Sequence, residues 1–434
     1  MAREMKDSGT IWLDKIPKDW GLSKISSIYE LRTQKVSDRD YPPLSVTMNG
    51  VVPQLDTAAK TNAHDDRKLI RKGDFVINSR SDRRGSCGVS EYDGSVSLIN
   101  IVMKPMDEMN PDYYNWLFHT TQFADEFYKW GHGIVDDLWT TNWQDMKYID
   151  IPVLSLPEQK KIADYLNKIV PEIDSLSLDI QSQIHILEDY KKSVITETVT
   201  KGLNPDVEMK DSGIEWIAKI PVNWKNSKIK YKFDFIGGFA FESNRFCDET
   251  QNQVLRIGNV KDDIILLGSN PAYIEDDYTQ PKYEVKKDYI LFTMTGTIHK
   301  KDYFYTVCID EKMLNGKRLF LNQRVGAFVP KEKQNSMYFS YLFKVPELKD
   351  NVFLYETGTV NQGNIGIDAL NNIEIIVPPY EEQSDIVNYL NKKCKAINEA
   401  INEKREQLEV LEQYKKSLIY EYVTGKREVS DNNG

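Results

Sequence analysis

Apolar residues recur at helical spacing in two long stretches of the chain, and the second stretch copies the first. Between Glu158 and about Lys201 the apolar positions are Ile162, Leu166, Ile169, Ile173, Leu176, Ile180, Ile184, Leu187 and Val194. In the second stretch they are Ile386, Leu390, Ile397, Ile401, Leu408, Leu411 and Leu418. Steps of three and four residues place one apolar stripe along a helix. The pattern predicts two helices of about 40 residues, each about 60 Å long if continuous.

Prolines and glycines mark where these helices begin and end. Pro157 lies in the first turn of the first helix, where its missing N–H group is harmless, and Gly202 ends that helix. A Pro-Pro pair at 378–379 precedes the second helix, which ends at Gly425. Pro171 interrupts the first stripe and predicts either a kink or a break into two helices.

Repetition extends beyond the helices, because blocks of sequence return in the same order. The matching pairs are MKDSGTIWLDKIPKDW (5–20) with MKDSGIEWIAKIPVNW (209–224), EQKKIADYLNKIV (158–170) with EQSDIVNYLNKKC (382–394), and ILEDYKKSVITETVT (186–200) with VLEQYKKSLIYEYVT (410–424). Both helical pairs share one offset of 224 positions. Such internal repeats determine the architecture of a chain.

Each long helix must bury its apolar stripe, and its most direct partner is its own copy. The two helices would then pack antiparallel, with one globular insert at each end. The residues predicted to form this contact are Ile173, Leu176, Ile180, Ile397, Ile401 and Leu408. A homodimeric coiled coil is the alternative, and it carries the added entropic cost of bringing two chains together.

The inserts between the repeats, about 21–145 and 225–369, differ in sequence but share an order of elements. Strand-like runs (DFVIN and VSLINIVMK; DYILFTMTG and RVGAFVP) are followed by aromatic helical stretches at 112–130 and 336–345. Both inserts close on an apolar alternation, MKYIDIPVL and LNNIEIIVP. We therefore predict one shared α/β or α+β fold, with a twisted sheet and variable loops.

The whole chain is predicted to be α+β (α/β-type), with two similar globular domains and two long antiparallel helices in a circular, pseudo-twofold arrangement. The predicted boundaries are 1–155 for the first domain, 156–204 for the first helix, 205–377 for the second domain and 378–434 for the second helix.

Charge is distributed unevenly in a chain whose formal net charge is −10. Segment 67–84 carries seven basic residues, and 312–324 carries four without an acid. Basic residues beside Asn, Gln and Ser on loops are typical of base and phosphate recognition. The candidate DNA-contacting residues are Arg80, Arg83, Arg84, Ser86, Arg256, Asn259, Lys300, Lys301, Gln323 and Arg324.

Several kinds of chemistry are disfavoured by the sequence. The four cysteines and five histidines lie far apart, without the spacing of a metal site, and the cysteines fit reduced thiols in a cytosol. No apolar run approaches the roughly 20 residues needed to span a membrane. Val377-Pro378-Pro379-Tyr380 lacks the polar first residue that a methyltransferase loop needs, and no phosphate-binding glycine loop occurs. We expect a non-catalytic, cytoplasmic chain that binds no metal or cofactor itself.

The DSGxxW…IPxxW blocks, the EQ…I…YL starts of both helices and their LExYKKS…I…VT ends resemble the specificity subunit of a Type I restriction–modification system. The first copy departs from DSGxEW at Thr10-Ile11. The resemblance implies two target-recognition domains, each reading half of a bipartite double-stranded DNA site, and a helical spacer. It also implies two modification subunits that bring S-adenosylmethionine, and two restriction subunits that use ATP and Mg²⁺.

Two other functions remain open on the sequence alone: a coiled-coil scaffold that binds no DNA, and a diverged DNA methyltransferase. A DNA reader loses affinity steeply with salt and prefers one sequence, whereas a scaffold does neither. An enzyme would bind the methyl donor by itself.

Overall fold

The chain divides into two compact units. The computed structural model describes residues 3–55, 64–133, 139–331, 333–359 and 361–430. The first unit consists of 1–182 with 404–434, and the second of 183–403. Each long helix therefore contributes one segment to each unit.

The first unit combines short strands with short helices. Its strands are β1 (Met5–Asp7), β2 (Lys15–Pro17), β3 (Gly21–Lys24), β4 (Tyr29–Leu31), β5 (Lys35–Val36), β6 (Leu44–Thr47), β7 (Gly50–Pro53), β8 (Arg67–Ile70), β9 (Phe75–Asn78), β10 (Cys87–Val89), β11 (Gly94–Val96), β12 (Asn100–Pro105) and β13 (Asp150–Val153). Its short helices are α1 (Pro111–Phe118), α2 (Thr121–Lys129) and α3 (Trp143–Met146).

A four-stranded antiparallel sheet, in the order β10-β9-β12-β4, is the centre of the first unit. Successive side chains of a strand point to opposite faces. Phe75 therefore packs with the aromatic residues of α1 and α2, whereas its neighbour Val76 packs on the other face with Val102. The aromatic stretch forms two helices because Thr120 caps the second, its hydroxyl accepting from the Phe123 N–H at 3.2 Å.

The second unit repeats this construction with additional pieces. Its strands are β14 (Met209–Ile214), β15 (Ile217–Pro221), β16 (Lys225–Lys228), β17 (Phe233–Gly237), β18 (Asn252–Leu255), β19 (Val260–Lys261), β20 (Ile264–Ile265), β21 (Ile290–Thr293), β22 (Thr295–Gly296), β23 (Thr306–Cys308), β24 (Arg318–Leu321), β25 (Val325–Pro330), β26 (Glu356–Thr359), β27 (Gln362–Ile365) and β28 (Glu374–Val377). Its short helices are α5 (Ile229–Lys232), α6 (Glu311–Leu314), α7 (Ser336–Leu342), α8 (Pro346–Phe353) and α9 (Ile367–Asn372).

The prediction that both inserts share one fold is confirmed by strand order. The central sheet of the second unit runs β23-β21-β25-β17. In chain position these strands match β10-β9-β12-β4 one for one. The hairpin β14–β15 likewise matches β1–β2, and the pair β16–β28 matches β3–β13. Outside these shared parts, the second unit has a parallel pair, β18–β24, a hairpin, β19–β20, and a small sheet, β22-β27-β26, whereas the first unit has the sheet β11-β8-β5 and the hairpin β6–β7.

The long helices are Leu156–Lys201 and Tyr380–Val423, and in chain order with the short helices α5 to α9 they are α4 and α10. The helix α4 is continuous through Pro171, so the predicted break into two helices is wrong. Proline removes one helical hydrogen bond, but Val170 and Ile173 on either side are buried in the core, which holds the helix together. Gly202 and Gly425 end the two helices with φ of 79° and 69°, as predicted from sequence.

Within each unit the two long helices pack antiparallel, which confirms that each helix partners its copy. In the first unit the Lys415 Nζ lies 2.7 Å from Asp174 Oδ1, and the rings of Tyr165 and Tyr422 are 4.6 Å apart. In the second unit Val199, near the end of α4, shares a core with the beginning of α10.

Most residues predicted for the helix contact are buried. Ile173, Ile180, Ile397 and Ile401 are buried and Leu408 is half-buried, whereas Leu176 is half-exposed. Ser177 takes the buried position instead, and its hydroxyl donates to the Ile173 carbonyl at 3.1 Å. The buried stripe therefore steps by four residues at this point, and the prediction for Leu176 is wrong.

The two ends of the chain approach one another in the first unit. Lys426 Nζ lies 3.0 Å from Asp14 Oδ2, and the Tyr420 hydroxyl donates to the Trp12 carbonyl at 2.9 Å. The circular arrangement predicted from the repeat places the N-terminal MAREM near the C-terminal KREVSDNNG, of which residues 1–2 and 431–434 lie outside the described residues.

On the resemblance to specificity subunits, a circular permutant that joins the two termini with a short linker and opens at 203–208 is expected to assemble and to direct methylation at the wild-type site. The reason is that the new ends lie in a connection outside both long helices. Mapping methylated adenines in cells that carry the permutant checks this. A permutant opened between Leu187 and Glu188, inside α4, is the control that should fail; equal failure of both would contradict the prediction.

Candidate nucleic-acid interface

In the first unit, polar loops meet at one edge of the central sheet. Strand β9 ends at Asn78, which pairs with Asn100 at the start of the antiparallel strand β12. Residues 79–86, here called loop A, and residues 97–100 therefore lie at the same edge. Three of the predicted arginines and Ser86 lie on loop A.

Loop A is held in one conformation by its neighbours. The Tyr128 hydroxyl is 3.1 Å from the Asn78 carbonyl and 3.2 Å from the Arg83 carbonyl. The Ser81 N–H donates to the Trp139 carbonyl at 2.9 Å. Gly85 turns the chain with φ of 75°, a backbone conformation that favours glycine. The loop is thus a preformed support for its side chains.

A cleft of about 650 Å³ opens beneath loop A. Its lining residues include Thr47, Gln54, Arg67, Asn78, Arg80, Arg83, Arg84, Ser86 and Asn100. Ser86 is buried in the wall, and Asn100 Oδ1 is buried without a hydrogen-bond partner. The cleft therefore offers guanidinium donors, while the Asn100 oxygen lies buried behind its wall.

The predicted arginines of loop A differ in how free they are. Arg80 Nε lies 2.9 Å from Asp82, whereas Arg83 Nε is 3.8 Å from the same carboxylate with its side chain 67% exposed. Arg84 pairs with Asp125 and lies over the Tyr128 ring. Arg83 is therefore the loop A guanidinium most available to DNA.

Arg67 was not among the predicted site residues, although it lies in the same basic segment. It is buried at the start of β8, and its guanidinium donates to the Ser95 hydroxyl at 2.9 Å and carbonyl at 3.0 Å. Burial lowers the pKa of Arg67, yet an arginine remains charged at neutral pH. Only the pairing of β8 with β11 brings Arg67 and Ser95 together.

The second unit gathers its predicted residues at the corresponding edge. Strands β18 and β24 run parallel, with Leu255 opposite Leu321. Strand β21 pairs with β25, with Thr293 opposite Val325. The strands belong to two sheets, but β24 is joined to β25 by a short turn, so the segments that follow β18, β21 and β24 leave close to that turn. These segments carry the candidates from Arg256 to Arg324.

Gln323 and Arg324 occupy the exposed turn between β24 and β25. Among the described residues, no ion pair involves Arg324. Arg256 is half-buried, and its guanidinium donates to the Asn270 carbonyl.

Asn259 is a correction to the predicted set. Its side chain is buried: Oδ1 accepts from the Arg256 N–H at 2.8 Å, and Nδ2 donates to the Leu266 and Ser269 carbonyls at 3.0 and 2.7 Å. All of its polar atoms are used within the loop. Asn259 positions this loop and is not free to read a base.

Lys300 and Lys301 lie on residues 297–302, here called loop B, which follows β22. Both are exposed, and Lys301 pairs with Asp350. Loop A and loop B occupy the same place after β9 and β21, but their sequences differ. Each unit thus presents its own set of basic and polar groups from a common support.

The described parts of the chain give little support for a metal site, a reactive cysteine or a membrane-spanning helix. There, no cluster of three or more His, Cys, Asp or Glu side chains is arranged to hold a metal ion. Burial raises the pKa of the Cys308 thiol to about 12, and burial also raises the pKa of Cys87 and Cys394. These thiols stay protonated at neutral pH and are poor nucleophiles. Across the described ranges, no helix is long and apolar enough to cross a membrane.

Comparison of the sequence with known families gives one match that spans both units. The family described as "Type I restriction modification DNA specificity domain" matches residues 17–185 and 221–410. The Type I restriction enzyme MjaVIII specificity subunit of Methanocaldococcus jannaschii is 27% identical over 435 residues, covering 96% of this chain and 95% of that protein. The Type I restriction enzyme StySPI specificity subunit of Salmonella potsdam is 20% identical over 393 residues, covering 86% and 81%.

Solved structures share the fold. A chain from a study of complex assembly and conformational transition of the type I R-M system superposes with a TM-score of 0.71 at 14% identity, covering 95% of this chain and 99% of that chain. The HsdS subunit from Thermoanaerobacter tengcongensis gives a TM-score of 0.53 at 14% identity, covering 95% and 98%.

Proposed function

This chain belongs to the Type I restriction modification DNA specificity family, and from that premise we propose that each of its units reads one half of a bipartite double-stranded DNA site. It is the specificity subunit of a Type I restriction–modification system. The observation that carries the proposal is the duplicated sheet edge. A shared support with different exposed loops is what two readers of different half-sites require.

The two long helices would set the distance between the half-sites. Rigid helices fix a length, since each residue adds about 1.5 Å. The antiparallel packing within each unit and the buried stripe of isoleucines support this role, because they keep the two helices paired in each unit.

Exposed apolar residues at repeated positions point to two identical partners. Ile186 on α4 is 62% exposed and its counterpart Val410 on α10 is 66% exposed. Tyr190 and its counterpart Tyr414 are 49% and 47% exposed. Ile186 and Tyr190 form one apolar patch on α4, one helical turn long, and Val410 and Tyr414 form the equivalent patch on α10. Each is here called the docking patch of its unit. We assign these patches to two modification subunits, one for each unit.

The chemistry of the complex would lie on those partners. S-adenosylmethionine belongs to the modification subunits, and ATP and Mg²⁺ to two restriction subunits, so that this chain supplies sequence choice and assembly without catalysis. None of the four cysteines, all within the described residues, forms a disulfide bond, which agrees with a protein that acts on DNA in the reducing cytoplasm.

The decisive experiment uses the chain reconstituted with its modification subunits and a DNA library in which each half-site is randomised separately. We expect two sequence preferences. We also expect the logarithm of the association constant to fall linearly with the logarithm of the salt concentration, with a slope of about −0.9 for each phosphate neutralised. Absence of DNA binding would instead indicate a scaffold. Methyl-donor binding by the isolated chain would indicate a methyltransferase.

A further inference from the structure

Loop B of the second unit has a backbone that its sequence would not adopt alone. His299 and Lys301 have φ of 64° and 51°, and Phe304, two residues after the loop, has φ of 58°. Side chains other than glycine rarely occupy this left-handed region, and such strain persists only where the surroundings impose it. Some contact must therefore hold the loop.

That contact is the carboxylate of Glu356 on β26. Oε2 accepts from the His299 N–H at 3.0 Å, and Oε1 accepts from the Tyr303 hydroxyl at 2.9 Å. The His299 Nδ1 also lies 3.4 Å from Oε2. The Glu356 side chain is only 7% exposed, and these groups, on both sides of Lys300 and Lys301, are its contacts. One buried carboxylate thus fastens both ends of the lysine pair.

The surroundings are shaped for this carboxylate. A Cβ atom on Gly363 of β27 would collide with Glu356 Oε1, so glycine is what lets the carboxylate lie there. Tyr303 is buried with its ring 4.9 Å from Phe353. Burial, together with the bond to Glu356, raises the pKa of Tyr303. The phenol therefore stays protonated and keeps donating.

A second carboxylate closes the loop from within. Asp302 Oδ1 accepts from the Thr297 N–H at 2.7 Å, and the Thr297 side-chain and backbone bonds lower the pKa of Asp302. This bond spans loop B from its first residue to its last, but it does not reach the sheet. Loop B continues from β22 at its start, and Glu356 on β26 bonds it to the same sheet on both sides of the lysine pair. Lys301 is separately paired with Asp350 on α8. In loop A the backbone is instead held by the neutral hydroxyl of Tyr128, and the Arg84 side chain pairs with Asp125.

We propose that Glu356 is a positioning residue for DNA recognition: it locks loop B so that Lys300 and its neighbours meet the DNA in one orientation. The proposal rests on the proposed function of the second unit as a DNA reader. Glu356 does not touch the DNA itself. Because it holds loop B in one conformation before DNA binds, it lowers the conformational entropy that the loop loses on binding.

The first test needs no DNA. Trypsin cuts after Lys300 and Lys301, and mass spectrometry of the full-length chain under native conditions gives the rate at each site. In Glu356→Ala both cuts should be roughly tenfold faster than in wild type, because hydrogen bonds to a charged group are lost. Tyr303→Phe should give a smaller increase. Glu356→Gln should stay close to wild type, since an amide can still accept from the His299 N–H and bond to Tyr303.

The matched control is Glu284→Ala. Glu284 is also a partly buried carboxylate of the second unit, but it pairs with Arg318 at the start of β24, away from the reading edge. It should leave the cleavage of loop B unchanged. Unchanged cleavage in both Glu356→Ala and Tyr303→Phe would overturn the proposal, and Tyr303→Phe keeps the test valid if Glu356→Ala does not fold.

The second test measures discrimination in the reconstituted complex with the separately randomised library. Glu356→Ala should reduce discrimination roughly tenfold in the half-site read by the second unit and leave the first half-site unchanged. Glu356→Gln should restore most of the loss. Faster cleavage with full discrimination would mean that Glu356 holds a loop that does not read DNA, which overturns the proposal while the proposed function stands. If wild type prefers no sequence in either half-site, the proposed function itself fails.

Discussion

Replacing Arg83 by alanine is expected to lower the affinity of the reconstituted complex for its preferred first half-site by about 1–3 kcal/mol, the range of a bidentate base contact. Arg83 is the loop A guanidinium with the weakest internal partner, at 3.8 Å from Asp82, and it faces the cleft. The loss should fall on the half-site read by the first unit. Titrations at fixed salt on the separately randomised library measure it.

Two other variants serve as controls for Arg83→Ala. Arg71→Ala removes an exposed arginine of the same basic segment, but Arg71 pairs with Asp93 at the opposite end of β9 from loop A and should change neither half-site. Arg324→Ala should affect the second half-site alone. If Arg83→Ala weakens all sequences equally, Arg83 binds phosphate and its base-reading role is wrong. If it changes nothing, loop A does not face the DNA.

Carboxylates beside the arginines bear on how loop A would read DNA. Asp82 contacts Arg80 and Arg83, and Asp125 contacts Arg84. These acids offset much of the positive charge of the loop, so its non-specific attraction to phosphates is weak. They also orient the guanidinium groups before DNA arrives. This arrangement favours base recognition, with the acidic chain relying on its partners for phosphate neutralisation.

The sequence predicted the long helices and the shared fold well, because both depend on patterns that recur along the chain. The apolar stripe and the flanking Gly202 and Gly425 are local signals, and the structure has them as predicted. The break predicted as one alternative at Pro171 and the contact predicted for Leu176 were wrong, because both depend on packing. A buried serine at 177 with its own hydrogen bond replaces the leucine, and no periodicity in apolar residues indicates that.

Individual site residues were harder to predict, because side chains with the same polar group serve opposite roles. Asn259 and Gln323 both follow strands and look alike in sequence, yet one is buried in backbone contacts and the other is exposed. Arg67 depends on Ser95, 28 positions away, and Glu356 on His299, 57 positions away. Such roles arise from strand pairing, which the sequence pattern does not specify. Their contribution to DNA recognition stays a prediction.

A charged residue in one docking patch should prevent one modification subunit from binding. Ile186→Asp is expected to abolish binding of one of the two subunits and Val410→Asp binding of the other, and the double variant should bind neither. Burying an unpaired carboxylate in an apolar contact should weaken each site by about 2 kcal/mol or more. Native mass spectrometry of the chain mixed with modification subunits counts the copies bound, with two expected for wild type and one for each single variant.

Leu178→Asp is the matched control for these variants. Leu178 lies on the same helix as Ile186 and is 66% exposed, but its counterpart at the 224 offset is the polar Asn402. An apolar group that serves both partners should recur in both copies, as Ile186 and Val410 do, and Leu178 does not. Leu178→Asp should therefore still bind two modification subunits. Two bound copies in all the single variants and in the double variant would show that these patches are not the docking sites, whereas loss in Leu178→Asp as well would mean that the contact surface does not follow the repeat.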